Sequence, residues 1–135
     1  MPDLTFRIHH TMLPVANLER SIEFYTRVLG MRVMGRRRNE ARKTEVGHVG
    51  YGDRDMQPSL ELTQSDGGDT PVTVRPTGVH VAIQVNDLRA LWNGLEGSGA
   101  VLQQPPTGRP GSKNLTAWIR DPDGHELELI ERHPE

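Results

Sequence analysis

Apolar and polar positions alternate over residues 8–15 and again over residues 79–85, which predicts two strands that each bury one face. A helix should follow each. Asn17 and Asp87 are good N-cap residues, and after Asn17 the apolar positions Leu18, Ile22, Tyr25 and Leu29 recur at helical spacing until Gly30. Leu88, Leu91, Trp92 and Leu95 repeat that pattern after Asp87. Runs rich in β-branched residues predict further strands over 32–37, 45–51 and 59–63, with counterparts over 100–104, 115–120 and 126–130. The order in each half is β-α-β-β-β, which places the chain in the α+β class.

The two halves are also similar as strings. HTMLPVANLERSIEFYTRVLGM, from His10, lies over HVAIQVNDLRALWNGLEGSGAV, from His80, matching Val15 to Val85, Asn17 to Asp87 and Leu18 to Leu88. Gly30 meets Gly99 after a one-residue gap, and Leu60-Glu61-Leu62 matches Leu127-Glu128-Leu129. Such self-similarity predicts two tandem modules of one ancestry. The first spans about 5–66 and the second about 77–132, joined by a Gly- and Pro-containing linker over about 67–76. Residues 105–111 read as a long mobile loop, and Asp121-Pro122-Asp123-Gly124 as a tight turn before the last strand.

Composition narrows the chemistry. With 135 residues and 34% hydrophobic content, the chain suits one domain with a moderate core. Its 16 basic and 18 acidic residues nearly cancel, so no net field recruits nucleic acid or an acidic membrane, and a small molecule is the expected partner. The absence of cysteine excludes disulfides and thiolate metal sites, leaving oxygen and imidazole donors for any metal. The opening Met1-Pro2-Asp3 carries no signal pattern and no apolar run could span a bilayer, so the cytoplasm is the expected compartment.

The repeat then singles out four residues. It puts a histidine in the first strand of each module, His10 and His80, and a glutamate in the last, Glu61 and Glu128. Alternation directs Glu61 away from Leu60 and Leu62, and Glu128 away from Leu127 and Leu129, so both carboxylates leave the packed face. His80 opposes Val79 and Val81 in the same way. His10 is less clear, because it shares a face with Ile8 and Met12 and adjoins His9, which leaves a one-residue register choice. Were the modules to curl around one cavity, the four side chains would form a two-nitrogen, two-oxygen metal site with positions open to water or substrate. Other candidates read as structural: His48 between glycines of a middle strand, with lining the cavity as its lesser alternative, His125 as a solvated turn residue, His133 in a frayed tail and Trp92 in a helix core. Trp118 fits either core or pocket wall. Arg36-Arg37-Arg38 reads as a solvated edge-strand charge run, with anion binding as its alternative.

The segments HTMLPVANLERSIEFYTRVLGM, SLELT, VHVAI and DPDGHELELIE resemble the glyoxalase I (lactoylglutathione lyase) family, within the vicinal oxygen chelate superfamily, over nearly the whole chain. The resemblance implies paired modules that form a curved, open mixed sheet around a metal held by His10, Glu61, His80 and Glu128. It implies one divalent metal per site, nickel first, with cobalt or zinc as alternatives, and a homodimer whose sites draw one module from each subunit. The reaction implied is isomerisation of the hemithioacetal of methylglyoxal and a thiol to an S-2-hydroxyacyl thioester, with Glu128 as base and Glu61 as a second proton carrier. Two positions depart from the family pattern. Pro14 stands where the family carries an arginine for the glutamyl carboxylate of glutathione, and Ser65 where it carries an asparagine. Arg109 and Lys113 fall in the loop that takes the glycyl carboxylate. Another low-molecular-weight thiol is therefore an open expectation beside glutathione. The competing readings are an extradiol dioxygenase or epimerase on the same scaffold, and a metal-free drug-binding protein, which the 4% aromatic content disfavours.

Overall fold

The computed structural model describes residues 3–68, 71–74 and 78–134. Residues 1–2 of the opening segment, and 69–70 and 75–76 of the expected linker, lie outside the described residues. Two compact units divide between Val72 and Thr73.

The first unit runs β1 (His10–Pro14), α1 (Leu18–Glu23), a π-helical turn (Phe24–Val28), β2 (Arg32–Asn39), β3 (Thr44–Gly50) and β4 (Ser59–Ser65). Its sheet is ordered β1-β4-β3-β2, with β1 parallel to β4 and the other pairs antiparallel. The second unit runs β5 (Val81–Gln84), α2 (Leu88–Asn93), β6 (Val101–Thr107), β7 (Leu115–Arg120) and β8 (Glu126–Glu131), and its sheet repeats that plan as β5-β8-β7-β6. The mixed sheet expected from the sequence is thus built as two four-stranded sheets, one per module. Among the described residues no helix is long and apolar enough to cross a membrane.

Alternation decides which face each sheet buries. Leu62, Leu127 and Leu129 are fully buried and Leu60 nearly so, while Glu61 and Glu128 between them are only partly covered. Each such leucine contributes roughly 1.5–3 kcal/mol by leaving water. Helix α1 lies on the buried face so closely that a Cβ on Gly47 would meet Ile22 Cδ1 at 3.0 Å and Leu18 Cδ1 at 3.3 Å. A side chain there would require both ends to move aside by a few tenths of an ångström.

Both helices start as their N-caps predict. Asn17 Oδ1 accepts from the Arg20 amide and Asp87 Oδ1 from the Ala90 amide, each at 3.0 Å. A second cap comes from the last strand of each module, where Gln64 Oε1 accepts from the Leu18 amide and Glu131 Oε1 from the Leu88 amide, each at 2.7 Å. The duplication therefore extends to individual hydrogen bonds.

Several boundaries need correction. The first helix leaves α geometry at Phe24, where Thr26 Oγ1 donates to the Ile22 carbonyl at 2.7 Å and competes with the backbone ladder. The chain then turns at Gly30 (φ 69°). The strand expected over 79–85 begins only at Val81, so His80 stands just ahead of it. Trp92 is only half-buried, and Leu95, beyond the end of α2, fills the core instead. Residues 105–107, expected in a loop, continue β6. This is an edge strand, where proline's missing N–H costs no inner ladder bond, and its pairing with β7 is irregular there.

Candidate metal centre

The face of the first sheet opposite α1 carries the candidate site. Strand register sets Met12 and His48 directly beside Glu61, one on each flanking strand, and His10 beside Ser59. Neighbours across a ladder share a face, so His10, His48 and Glu61 all project from the side that Leu60 and Leu62 leave. His10 Nε2 lies 3.1 Å and His48 Nε2 3.5 Å from Glu61 Oε2. Ligand atoms of the three side chains fall within 4.8 Å of one another, and among the described residues this is the group of three such side chains that converges.

The register choice between His9 and His10 has a geometric answer: His10 faces Glu61, and His9 packs behind it. Their Nδ1 atoms stand 2.8 Å apart, so one proton shared between them leaves His10 Nε2 directed at the carboxylate. Thr63 Oγ1 donates to Glu61 Oε1 at 3.4 Å, and Arg37 Nη2 approaches Glu61 Oε2 at 3.9 Å. The arginine run thus splits by alternation. Arg36 pairs with Glu19, and Arg38 with Glu40, Glu45 and Asp66, while Arg37 alone turns toward the candidate site.

His48 is the residue that sequence reasoning missed as a member of this site. It is 1% exposed, its Nδ1 meets Ser59 Oγ at 2.8 Å, and its Nε2 is buried without a hydrogen-bond partner. The 3.5 Å to Glu61 is beyond a useful hydrogen bond. Burial foremost, then the positive charge of Arg54, pushes the imidazole down to about 4, so it is neutral at physiological pH. When Nδ1–H donates to Ser59, the Nε2 lone pair points at Glu61. No local signal announced this role, which comes from the antiparallel pairing of Gly47-His48-Val49 with Leu60-Glu61-Leu62.

In the second module Ala82 and Trp118 flank Glu128 in register. His80, exposed ahead of β5, sets its ring against that of Trp118 with centroids 5.0 Å apart, which puts all three on one face. Trp118 is only partly buried and stands outside the core. Ser65 and Pro14 line a cleft of about 160 Å³ in the first module with Val15, Thr63 and Val72. Arg109 and Lys113 are exposed in the segment between β6 and β7. His125 is 8% exposed, not a solvated residue, because Asp121 Oδ1 accepts both the Asp123 and the His125 amides and folds the turn inward. His133 is tied back by Glu131 Oε2 at 2.6 Å and Asn114 Oδ1 at 2.7 Å.

Two imidazoles and a carboxylate suit a borderline divalent ion. Donors bound at about 2.0–2.2 Å stand about 3.0 Å apart at right angles and about 3.4 Å apart at the tetrahedral angle. The observed 3.1 and 3.5 Å match those separations, and an orphaned buried nitrogen is what an ion would satisfy. The residues of the first module therefore fit a metal.

Comparison with known proteins agrees with the fold. The family model for the Glyoxalase/Bleomycin resistance protein/Dioxygenase superfamily matches residues 7–129. The chain is 36% identical to the probable lactoylglutathione lyase of Vibrio cholerae, over 93% of this chain and 90% of that one. It is 34% identical to the lactoylglutathione lyase of Escherichia coli O157:H7, over 93% and 92%. Among solved structures it resembles the trypanothione-dependent glyoxalase I of Leishmania major, with TM-score 0.81 and 31% identity over 94% of this chain and 87% of that one. It also resembles glyoxalase I from Zea mays, with TM-score 0.79 and 28% identity, spanning 45% of the maize chain. By sequence and by fold, the chain belongs to the Glyoxalase/Bleomycin resistance protein/Dioxygenase superfamily, on the side of its glyoxalase I members.

Proposed function

We propose that this chain is a metal-dependent glyoxalase I-type lyase that isomerises the hemithioacetal of methylglyoxal and a low-molecular-weight thiol to an S-2-hydroxyacyl thioester. The observation that carries the reading is the convergence of His10 and Glu61, with His48, on the open face of the first module, in a chain whose relatives are lactoylglutathione lyases. His80 and Glu128 of the second module complete the ligand set, drawn from the partner subunit of a homodimer, as the family resemblance implies. Nickel is the preferred ion, with cobalt or zinc as substitutes, as the family resemblance implies, and the nitrogen and oxygen donors without thiolate suit all three.

A divalent ion held by these residues would supply Lewis-acid charge to the hemithioacetal. The protein's own groups move the proton. Glu128 takes it from the carbon bearing sulfur and returns it to the neighbouring carbon, and Glu61 serves the opposite face. Trp118, beside both His80 and Glu128, walls off water from the base.

The thiol is less constrained than in the glutathione enzymes. Pro14 and Ser65 line the cleft beside Thr63, where proline offers no charge and serine one hydroxyl, so a glutamyl carboxylate loses its bidentate arginine partner. The Leishmania relative's dependence on trypanothione supports the idea that this scaffold serves thiols other than glutathione. Arg109 and Lys113 are the expected contacts for the other carboxylate.

A second reading is favoured by one observation. His10, His48 and Glu61 form a two-histidine, one-carboxylate set of the kind used by non-haem iron oxygenases. Substitution of Glu128 tests the two against each other. In Glu128→Gln, isomerase turnover should fall by at least about 100-fold while metal uptake is only weakened. Full isomerase activity in that variant would remove Glu128 as the base. Oxygen consumption with a catechol and ferrous iron would favour the oxygenase reading.

A further inference from the structure

We propose that His48 is a third metal ligand contributed by the first module, so that His10, His48 and Glu61 can retain a divalent ion even without the two donors of the second module. The inference rests on the metal-dependent reading above and adds a donor that the repeat does not contain, since the equivalent position of the second module is Trp118.

A buried histidine is most often a core residue satisfied on both nitrogens. His48 is satisfied on one. Its ring is 1% exposed, Ser59 Oγ takes Nδ1 at 2.8 Å, and Nε2 has no hydrogen-bond partner. An unpaired buried nitrogen costs stability unless something fills the gap it faces. What it faces is the ligand pair already in place: Glu61 Oε2 at 3.5 Å and the His10 ring at 5.4 Å between centroids. Ser59 is itself buried and follows the pattern of an outer-shell group that fixes a ligating imidazole's tautomer and orientation. The register that makes this possible is local. His48 sits directly across the β3–β4 ladder from Glu61, so the donor is held by strand pairing rather than by a loop.

The consequence is an asymmetric centre, in which three protein donors come from one module and metal retention does not depend on the other. The test removes the second module's contribution first. Cobalt and nickel binding is measured by titration calorimetry on the full chain, on the double variant His80→Ala/Glu128→Gln, and on that variant with His48→Gln added. The double variant should still bind one ion per chain, and adding His48→Gln should weaken binding at least about 100-fold, more than loss of an outer-shell group would. Thermal melts of the metal-free proteins check that each folds. A second readout needs no change at His48. In the cobalt-loaded double variant, proton NMR should show two strongly shifted, exchangeable imidazole N–H signals, one of them the Nδ1–H shielded by Ser59. One such signal, or cobalt affinity that is insensitive to His48→Gln but abolished by Glu61→Gln, would overturn the role of His48 and leave the metal-dependent reading intact. Failure of the unmodified chain to bind either ion would overturn both.

Discussion

In the first module the strand pair β3–β4 sets His48 opposite Glu61, and in the second the equivalent pair β7–β8 sets Trp118 opposite Glu128. The backbone plan, the helix caps and the leucines flanking each glutamate are otherwise alike. His10 and His80 occupy equivalent positions ahead of these pairs, but His10 packs against an imidazole and His80 against an indole. One position of a duplicated scaffold thus carries an imidazole in one half and an indole in the other. Duplication fixes where equivalent side chains stand, while single positions decide which chemistry each half presents there.

If the modules are equivalent as folded units, their cores should fail equally. Leu62→Ala and Leu129→Ala each remove a fully buried side chain from the middle of the last strand and should each destabilise the protein by about 2–5 kcal/mol in urea unfolding. A loss below about 1 kcal/mol for either variant would mean that its module is not organised around the leucine pair flanking its glutamate.

The smallest expected effect separates the two helix caps. Gln64 and Glu131 do the same job at equivalent positions, but only Glu131 titrates. Its carboxylate is held below its ordinary range, first by His133 and then by the Leu88 amide. A depressed carboxyl contributes stability that is complete above its unfolded pKa, near 4.5, and is lost as pH falls through its folded value. The Leu88 amide signal should therefore shift in acid with the Glu131 carboxyl, while the Leu18 amide, capped by neutral Gln64, should show no matching transition. Parallel shifts of both amides would show that acid unfolding, not the cap, is being read.

Much of this molecule is legible in its sequence because the signals are local. Asn17 and Asp87 announce the helix starts, and the leucine–glutamate–leucine strings announce both the last strands and the face each glutamate takes. What was not legible depends on tertiary register or local competition. At the π-helical turn one hydroxyl, Thr26, shares a backbone acceptor, a competition the apolar spacing does not show. Strand β6 runs through Pro105 and Pro106 because it lies at a sheet edge, which no local pattern declares. His48 looked structural because it sits in a middle strand between Gly47 and Gly50. Its place beside Glu61 comes from the pairing of two strands that alternation predicts separately and does not align.

The most direct test of the account is thioester formation, followed by ultraviolet absorbance, with metal-stripped protein reconstituted with nickel, cobalt or zinc and supplied with methylglyoxal and either glutathione or trypanothione. Turnover should be absent without metal and restored by nickel or cobalt, on at least one of the two thiols. Equal turnover by the stripped protein, or stoichiometric metal uptake with no thioester from either thiol, would contradict it.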